Sequence, residues 1–190
     1  MVRTSSEVER SRWAARYAPV PLVLADGRDA EGEWLVSRAI DAESAVSARW
    51  LVRPEIAVPA IGRALRRLHD ALPVDDCPFD WGVSSRLARA RGVGRDISLH
   101  LDDAPDIDVL VVCHGDPCAP NTLLDERGVG VAHVDLGALG TGDRWADIAV
   151  AAWSTEWNYG AGWDGLLLEA YGVDPDPVRS AYYRRLWDAT

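Results

Sequence analysis

Five apolar residues in a row, Val109–Cys113, run directly into His114-Gly115-Asp116. A continuous apolar run of this length reads as a strand buried on both faces, and a polar cluster at its end must reach a surface or a cleft. Residues 122–125 and 129–135 read as a short hairpin around Arg127-Gly128, so a second strand end delivers Asp135. Short buried strands need helices to cover them. The flanking sequence supplies these at 54–72, where Ile56, Ala57, Ile61, Ala64, Leu65, Leu68 and Leu72 keep helical spacing, and further on at about 84–91, 143–154, 163–171 and 176–188. Upstream, a helix through about Tyr17 ends before Pro19 and Pro21. Strands follow at 22–25 and 33–37, with a turn region from Asp26-Gly27 to Gly32. One helix and two strands bury little surface, so this front piece reads as incomplete.

The residues at the strand ends have a chemical logic. Asp116 is followed five positions later by Asn121, and later by Asp135-Leu136-Gly137. A phosphoryl group in transfer spreads negative charge over its oxygens, so catalysis is mostly positioning and charge neutralisation. Asn121 and Asp135 offer hard oxygen ligands for Mg²⁺, leaving Asp116 to orient an incoming hydroxyl and accept its proton. The order Asp, four residues, Asn, then Asp-x-Gly is that of kinases. Taken singly, each piece is equally a turn. His114 and His133 could instead ligate a metal, but no HxH or HxxxH spacing supports this, and a histidine fixing the loop backbone is the simpler reading. Gly92-Val93-Gly94 is too short for a phosphate loop.

Composition narrows the partners. The chain of 190 residues carries a formal net charge of −10, and the whole excess lies in residues 91–190. Such a surface disfavours nucleic acid and suits a cationic small molecule. All 20 basic residues are arginine, which excludes lysine chemistry within the chain. Three cysteines without a CxxC pair signal neither a disulfide framework nor a zinc site. No apolar run approaches a membrane span, and the charged N-terminus does not read as a signal peptide, so a cytoplasmic protein is expected.

At these residues the sequence resembles the aminoglycoside 3'-phosphotransferases, the kanamycin and neomycin kinases. His114-Gly115-Asp116-x-Cys118-x-Pro120-Asn121, Val134-Asp135-Leu136-Gly137 and Gly142-Asp143-Arg144-Trp145-Ala146-Asp147-Ile148-Ala149 carry the likeness. Leu68-His69-x-Ala71-Leu72-Pro73, Cys77-Pro78-Phe79-Asp80 and Ser154-Thr155-Glu156-Trp157-Asn158-Tyr159-Gly160 extend it over essentially the whole chain.

The resemblance implies an α+β, protein-kinase-like two-lobe fold. Residues 1–39 would form a partial N-terminal lobe ending at the hinge, and 40–190 a mainly helical catalytic and substrate-binding lobe. It implies ATP and Mg²⁺ as cofactors and an aminoglycoside of the kanamycin or neomycin type as acceptor, with antibiotic resistance as the outcome. Asp116 is then the catalytic base, His114 supports its loop, and Asn121 and Asp135 hold the metal. Ser37, Arg38 and Ala39 fall at the adenine-binding hinge, and Glu7 where a glutamate pairs with a phosphate-binding lysine. Glu156, Asn158 and Asp188 are candidates for the acidic antibiotic cleft. Three departures stand out: a glycine-rich loop and lysine strand would lie before Met1, Ala138 stands where many relatives have arginine, and the ending Asp188-Ala189-Thr190 is short. The expectation is an N-terminally truncated enzyme of impaired activity. The rivals are a remnant that binds without phosphorylating, and a kinase for another small hydroxyl compound.

Overall fold

The computed structural model describes residues 4–95, 97, 101 and 103–190. Helix α1 (Thr4–Ala14) packs against an antiparallel hairpin of β1 (Val23–Arg28) and β2 (Glu33–Ser37). Strand β1 runs three residues further than the sequence predicts, through Asp26-Gly27. Gly27 stays extended because the Trp34 ring lies across it, 2.5 Å from where a Cβ would sit. The turn falls instead at 29–32, where the Asp29 carboxylate accepts the Glu31 and Gly32 amides. Leu24, Trp34 and Val36 on this hairpin are exposed.

The rest is mainly helical. A short β3 (Glu43–Ser44) and α2 (Ala48–Leu51) lead into α3 (Pro54–Ala71), then α4 (Val83–Gly92) and β4 (Leu110–Cys113). Next come a 3-10 turn (Ala119–Asn121), β5 (Thr122–Leu124), β6 (Gly130–His133), β7 (Gly140–Asp143), and the helices α5 (Trp145–Tyr159), α6 (Asp164–Tyr171) and α7 (Pro177–Ala189). Strands β3, β5 and β6 form one antiparallel sheet, and β4 pairs antiparallel with β7. The α+β class expected from the sequence is the one observed.

Helix α3 turns Ala57, Ile61, Ala64, Leu65 and Leu68 inward. It meets α6 closely because Gly62 leaves room: a Cβ there would stand 2.6 Å from the Leu167 carbonyl. Helix α5 is buried nearly all round from Trp145 to Ala152, so it forms the axis on which α6 and α7 pack. Each large aliphatic side chain sealed in this core contributes about 1.5–3 kcal/mol. The sequence reading missed β7, whose Gly-Thr-Gly-Asp lacks a strand's usual side chains. Its glycines serve a close approach, since a Cβ at Gly140 would lie 2.9 Å from the backbone of Asp80 and Trp81. No helix among the described residues is long and apolar enough to cross a membrane.

Candidate active site

Strand β4 ends at Cys113, and the next three residues form a loop that is fixed from beneath. The Asp147 side chain, fully buried in the first turn of α5, accepts the His114 amide at 2.5 Å and the Gly115 amide at 3.0 Å. His69 of α3 donates from Nε2 to the same carboxylate at 2.9 Å, and its Nδ1 is hydrogen-bonded with the Tyr171 hydroxyl of α6 at 2.8 Å. A carboxylate can only accept, which fixes the direction of each bond to Asp147. Burial pushes the Asp147 carboxyl up, but the His69 bond and charge, with the Gly115 amide, outweigh it and hold the carboxyl below its ordinary value. Gly115 sits at φ 88° with the Ala138 carbonyl 2.3 Å from where a Cβ would be, so only glycine fits this turn.

The loop then presents Asp116. Its backbone amide donates to His114 Nδ1 at 3.3 Å. Burial holds the His114 imidazole below its ordinary value, so the ring is neutral and carries its proton on Nε2. His114 is therefore hydrogen-bonded to the loop backbone through Nδ1. It lies edge-on to His133, with ring centroids 5.4 Å apart, yet no group of three or more His, Cys, Asp or Glu among the described residues could hold a metal ion.

Asn121 donates from Nδ2 to the Asp116 carbonyl at 2.9 Å, and its own carbonyl accepts the Val134 amide at 3.0 Å. That second bond places Asp135 beside Asn121. Asp135 has φ 60°, the one non-glycine among the described residues in that region, so its side chain is turned out of the β6 direction. Asp116 Oδ1 is buried without a partner, and the Cys118 thiol is pushed up by burial and by the Asp116 carboxylate.

The front hairpin and α1 lie against the segment that follows β6. Glu7 and Ser37 line a cavity of about 130 Å³ with Val23, Leu35 and Asp135. Burial and the Asp135 charge raise the Glu7 carboxyl. Helix α1 is tied down where Arg10 Nε donates to the Leu139 carbonyl at 2.8 Å and Ser6 Oγ to the Gly137 carbonyl at 3.3 Å. Glu7, Ser37 and Asp135 thus share one cavity, while Asp116, Asn121 and His114 are joined by the hydrogen bonds of the adjoining loop. Arg38 donates its amide to the Leu22 carbonyl at 2.8 Å, and Ala39 is exposed beyond it. Asn158 reaches the loop indirectly: its Nδ2 donates to Ser154 Oγ, which accepts the Ala119 amide at 2.9 Å. Glu156 faces Arg184 of α7 at 3.4 Å. Asp188 is exposed near the end of α7, next to Trp187, whose ring meets Trp157 at 5.7 Å.

Sequence reasoning assigned no role to His69, Asp147, Ser154 or Tyr171. His69 and Asp147 do stand inside motifs already noted, and that was the available signal.

The buried imidazoles set an acid limit to stability. Burial, helped by neighbouring His114, lowers His133 to about 3. An unfolded histidine takes a proton near pH 6.5, so between pH 6.5 and 3 the unfolded state binds more protons and stability falls as pH falls. His133→Leu is expected to flatten this slope by up to about 1.4 kcal/mol per pH unit, read from urea unfolding at a series of pH values. An unchanged slope would show that His133 is not held neutral.

Comparison with known proteins agrees with this geometry. Residues 2–183 match the model of the phosphotransferase enzyme family. The chain is 35% identical to an aminoglycoside 3'-phosphotransferase of Streptomyces fradiae, over 96% of this chain and 78% of that protein. It is 33% identical to a streptomycin 3''-kinase of Streptomyces griseus, over 95% and 78%. Among solved structures, the aminoglycoside-3'-phosphotransferase of type VIII superposes with a TM-score of 0.80 at 28% identity, covering 97% of this chain and 79% of that one. The aminoglycoside phosphotransferase APH(3'')-Id of Streptomyces rimosus, in complex with ADP and streptomycin, gives 0.76 at 26% identity, over 97% and 80%. The kinase-like fold expected from the sequence is therefore present, and the chain belongs to the phosphotransferase enzyme family, with the aminoglycoside phosphotransferases.

Proposed function

We propose that this chain transfers the γ-phosphate of ATP to the 3'-hydroxyl of an aminoglycoside of the kanamycin or neomycin type. The observation that carries this reading is the clamped loop, in which Asp147 accepts the His114 and Gly115 amides, His114 accepts the Asp116 amide and Asn121 donates to the Asp116 carbonyl. Asp116 accepts the proton of the acceptor hydroxyl as its oxygen attacks phosphorus, and ADP leaves. Asn121 and Asp135 would hold Mg²⁺, which supplies charge neutralisation at the phosphates when bound. The donor set suits such an ion, since Asn121 and Asp135 offer oxygens and the nearby Asp116 Oδ1 is buried without a partner.

Residues 1–39 and 40–190 act as two lobes in this reading, with adenine at 37–39. Asn158, Glu156 and Asp188, on the converging ends of α5 and α7, line the cationic acceptor's side. Relatives phosphorylating at 3' and at 3'' match almost equally well, so the position is the first thing to test. Incubation with Mg²⁺-ATP and kanamycin should give a monophosphate that mass spectrometry and NMR locate at the 3' oxygen. A product formed only from streptomycin would move the assignment to the 3'' class, and no product from either would remove the transfer reading.

A further inference from the structure

Although the chain is acidic overall, three arginines gather at one cavity of about 400 Å³, and no aspartate or glutamate among the described residues lines it. Arg86, Arg89 and Arg95 share it with Trp81, Ala138 and Thr190. Arg86, on the inner face of α4, is only 2% exposed. Its Nε and Nη2 both donate to a single hydroxyl, Thr190 Oγ1, at 3.1 and 2.8 Å, and its Nη1 has no partner. No ion pair is made to it among the described residues. Burial lowers its pKa to about 10, so it remains charged at neutral pH.

The neighbours sharpen this. The Arg86 and Arg89 guanidinium carbons lie 4.6 and 5.0 Å from the centre of the same Trp81 ring. Two like charges on one indole repel each other. The Trp81 Nε1 donor is itself buried without a partner. A buried guanidinium whose sole acceptor is a hydroxyl carries a desolvation cost that a counter-ion would relieve.

We infer that this pocket binds a phosphate group. A tetrahedral dianion has oxygens enough for three guanidiniums at once, where a carboxylate offers two oxygens in one plane. The volume exceeds that of an inorganic phosphate, so a small phosphate monoester fits as well, its body against the apolar wall of Ala90, Val93 and Ala138. The pocket abuts the catalytic loop, because Ala138 is the residue against which Gly115 packs. This inference stands on the arginine cluster and is independent of the acceptor assigned above.

Titration calorimetry with inorganic phosphate, at constant ionic strength in chloride, tests it. The native chain should bind one phosphate saturably. Arg86→Met should lose that binding. Because a change at this buried position could unfold the chain, Arg89→Ala/Arg95→Ala, at two exposed positions, is the second variant, and it should weaken binding by about tenfold or more. Absence of saturable binding, or unchanged affinity in the double variant, would overturn the proposal. Repeating the titration with saturating Mg²⁺-ADP separates the sources. Retained phosphate binding marks a site for a free anion or monoester, and competition marks arginines reached by the nucleotide's own phosphates. Both outcomes support the pocket as a phosphate site.

Discussion

Asp116→Asn is expected to lower kcat by about a thousandfold while leaving aminoglycoside affinity within about twofold. Asparagine keeps the shape of the side chain and cannot accept the hydroxyl proton. The loop stays in place, because its backbone is held by Asp147, His114 and Asn121 rather than by the Asp116 carboxylate. Rapid-quench kinetics with Mg²⁺-ATP and kanamycin, paired with calorimetric binding of the antibiotic, measure the two quantities separately. Equal loss of binding and turnover would mean that Asp116 serves the acceptor's charge instead of its proton.

Asp147→Asn should be more damaging to the molecule as a whole. Oδ2 accepts from the His114 amide and from His69 Nε2, and Oδ1 from the Gly115 amide. An asparagine has one acceptor oxygen, so whichever way it turns, its NH₂ faces at least one donor in a sealed space. Breaking a buried pair in this way costs about 3–5 kcal/mol. Urea unfolding should show that loss, and kcat should fall with it because the loop backbone is released. The pH sign is also fixed. A carboxyl held below its ordinary value stabilises the fold above the unfolded pKa of about 4, and that contribution fades as pH falls through the folded value. The acid limb therefore has parts that act over different ranges of pH. His133 acts from pH 6.5 downward, Asp147 only below about pH 4, and each variant should remove its own part.

The difference between what was readable in the sequence and what was not has a physical origin. Strands β4, β5 and β6 and the long helices announce themselves through contiguous or periodic apolar residues, because each buries a face of its own. Strand β7 does not, since its Gly-Thr-Gly-Asp is a strand by virtue of pairing with β4 and passing close to residues 79–81. The two-residue β3 exists only through its pairing with β5. In the sequence Gly27 reads as a turn residue, but the Trp34 ring that keeps it extended comes seven positions later, so the turn falls further along the chain.

The site divides in the same way. Asp116, Asn121 and Asp135 are legible because two strand ends and one 3-10 turn fix their spacing in the chain. Their support is not, because His69 and Asp147 are 78 positions apart and a single buried polar contact leaves no period to read. Arg86 is the sharpest case. In α4 it sits among Arg89 and Arg91 and reads as part of a charged outer face, yet it is among the most deeply buried charged side chains described.

The His69–Asp147–Tyr171 cluster also bears on how the protein is made. Its members are spread over 102 positions, and the loop they hold lies between them in the chain. At about 5–20 residues per second, a ribosome takes roughly 5–20 s to pass from His69 to Tyr171. During that interval β4 and its loop have emerged without the carboxylate that shapes them or the helix that completes the cluster. A nascent chain arrested before α5 would carry every residue of the His114–Asn121 segment and still lack the Asp147 carboxylate that fixes it. The loop that carries Asp116 is thus assembled late in synthesis, although it lies near the middle of the sequence.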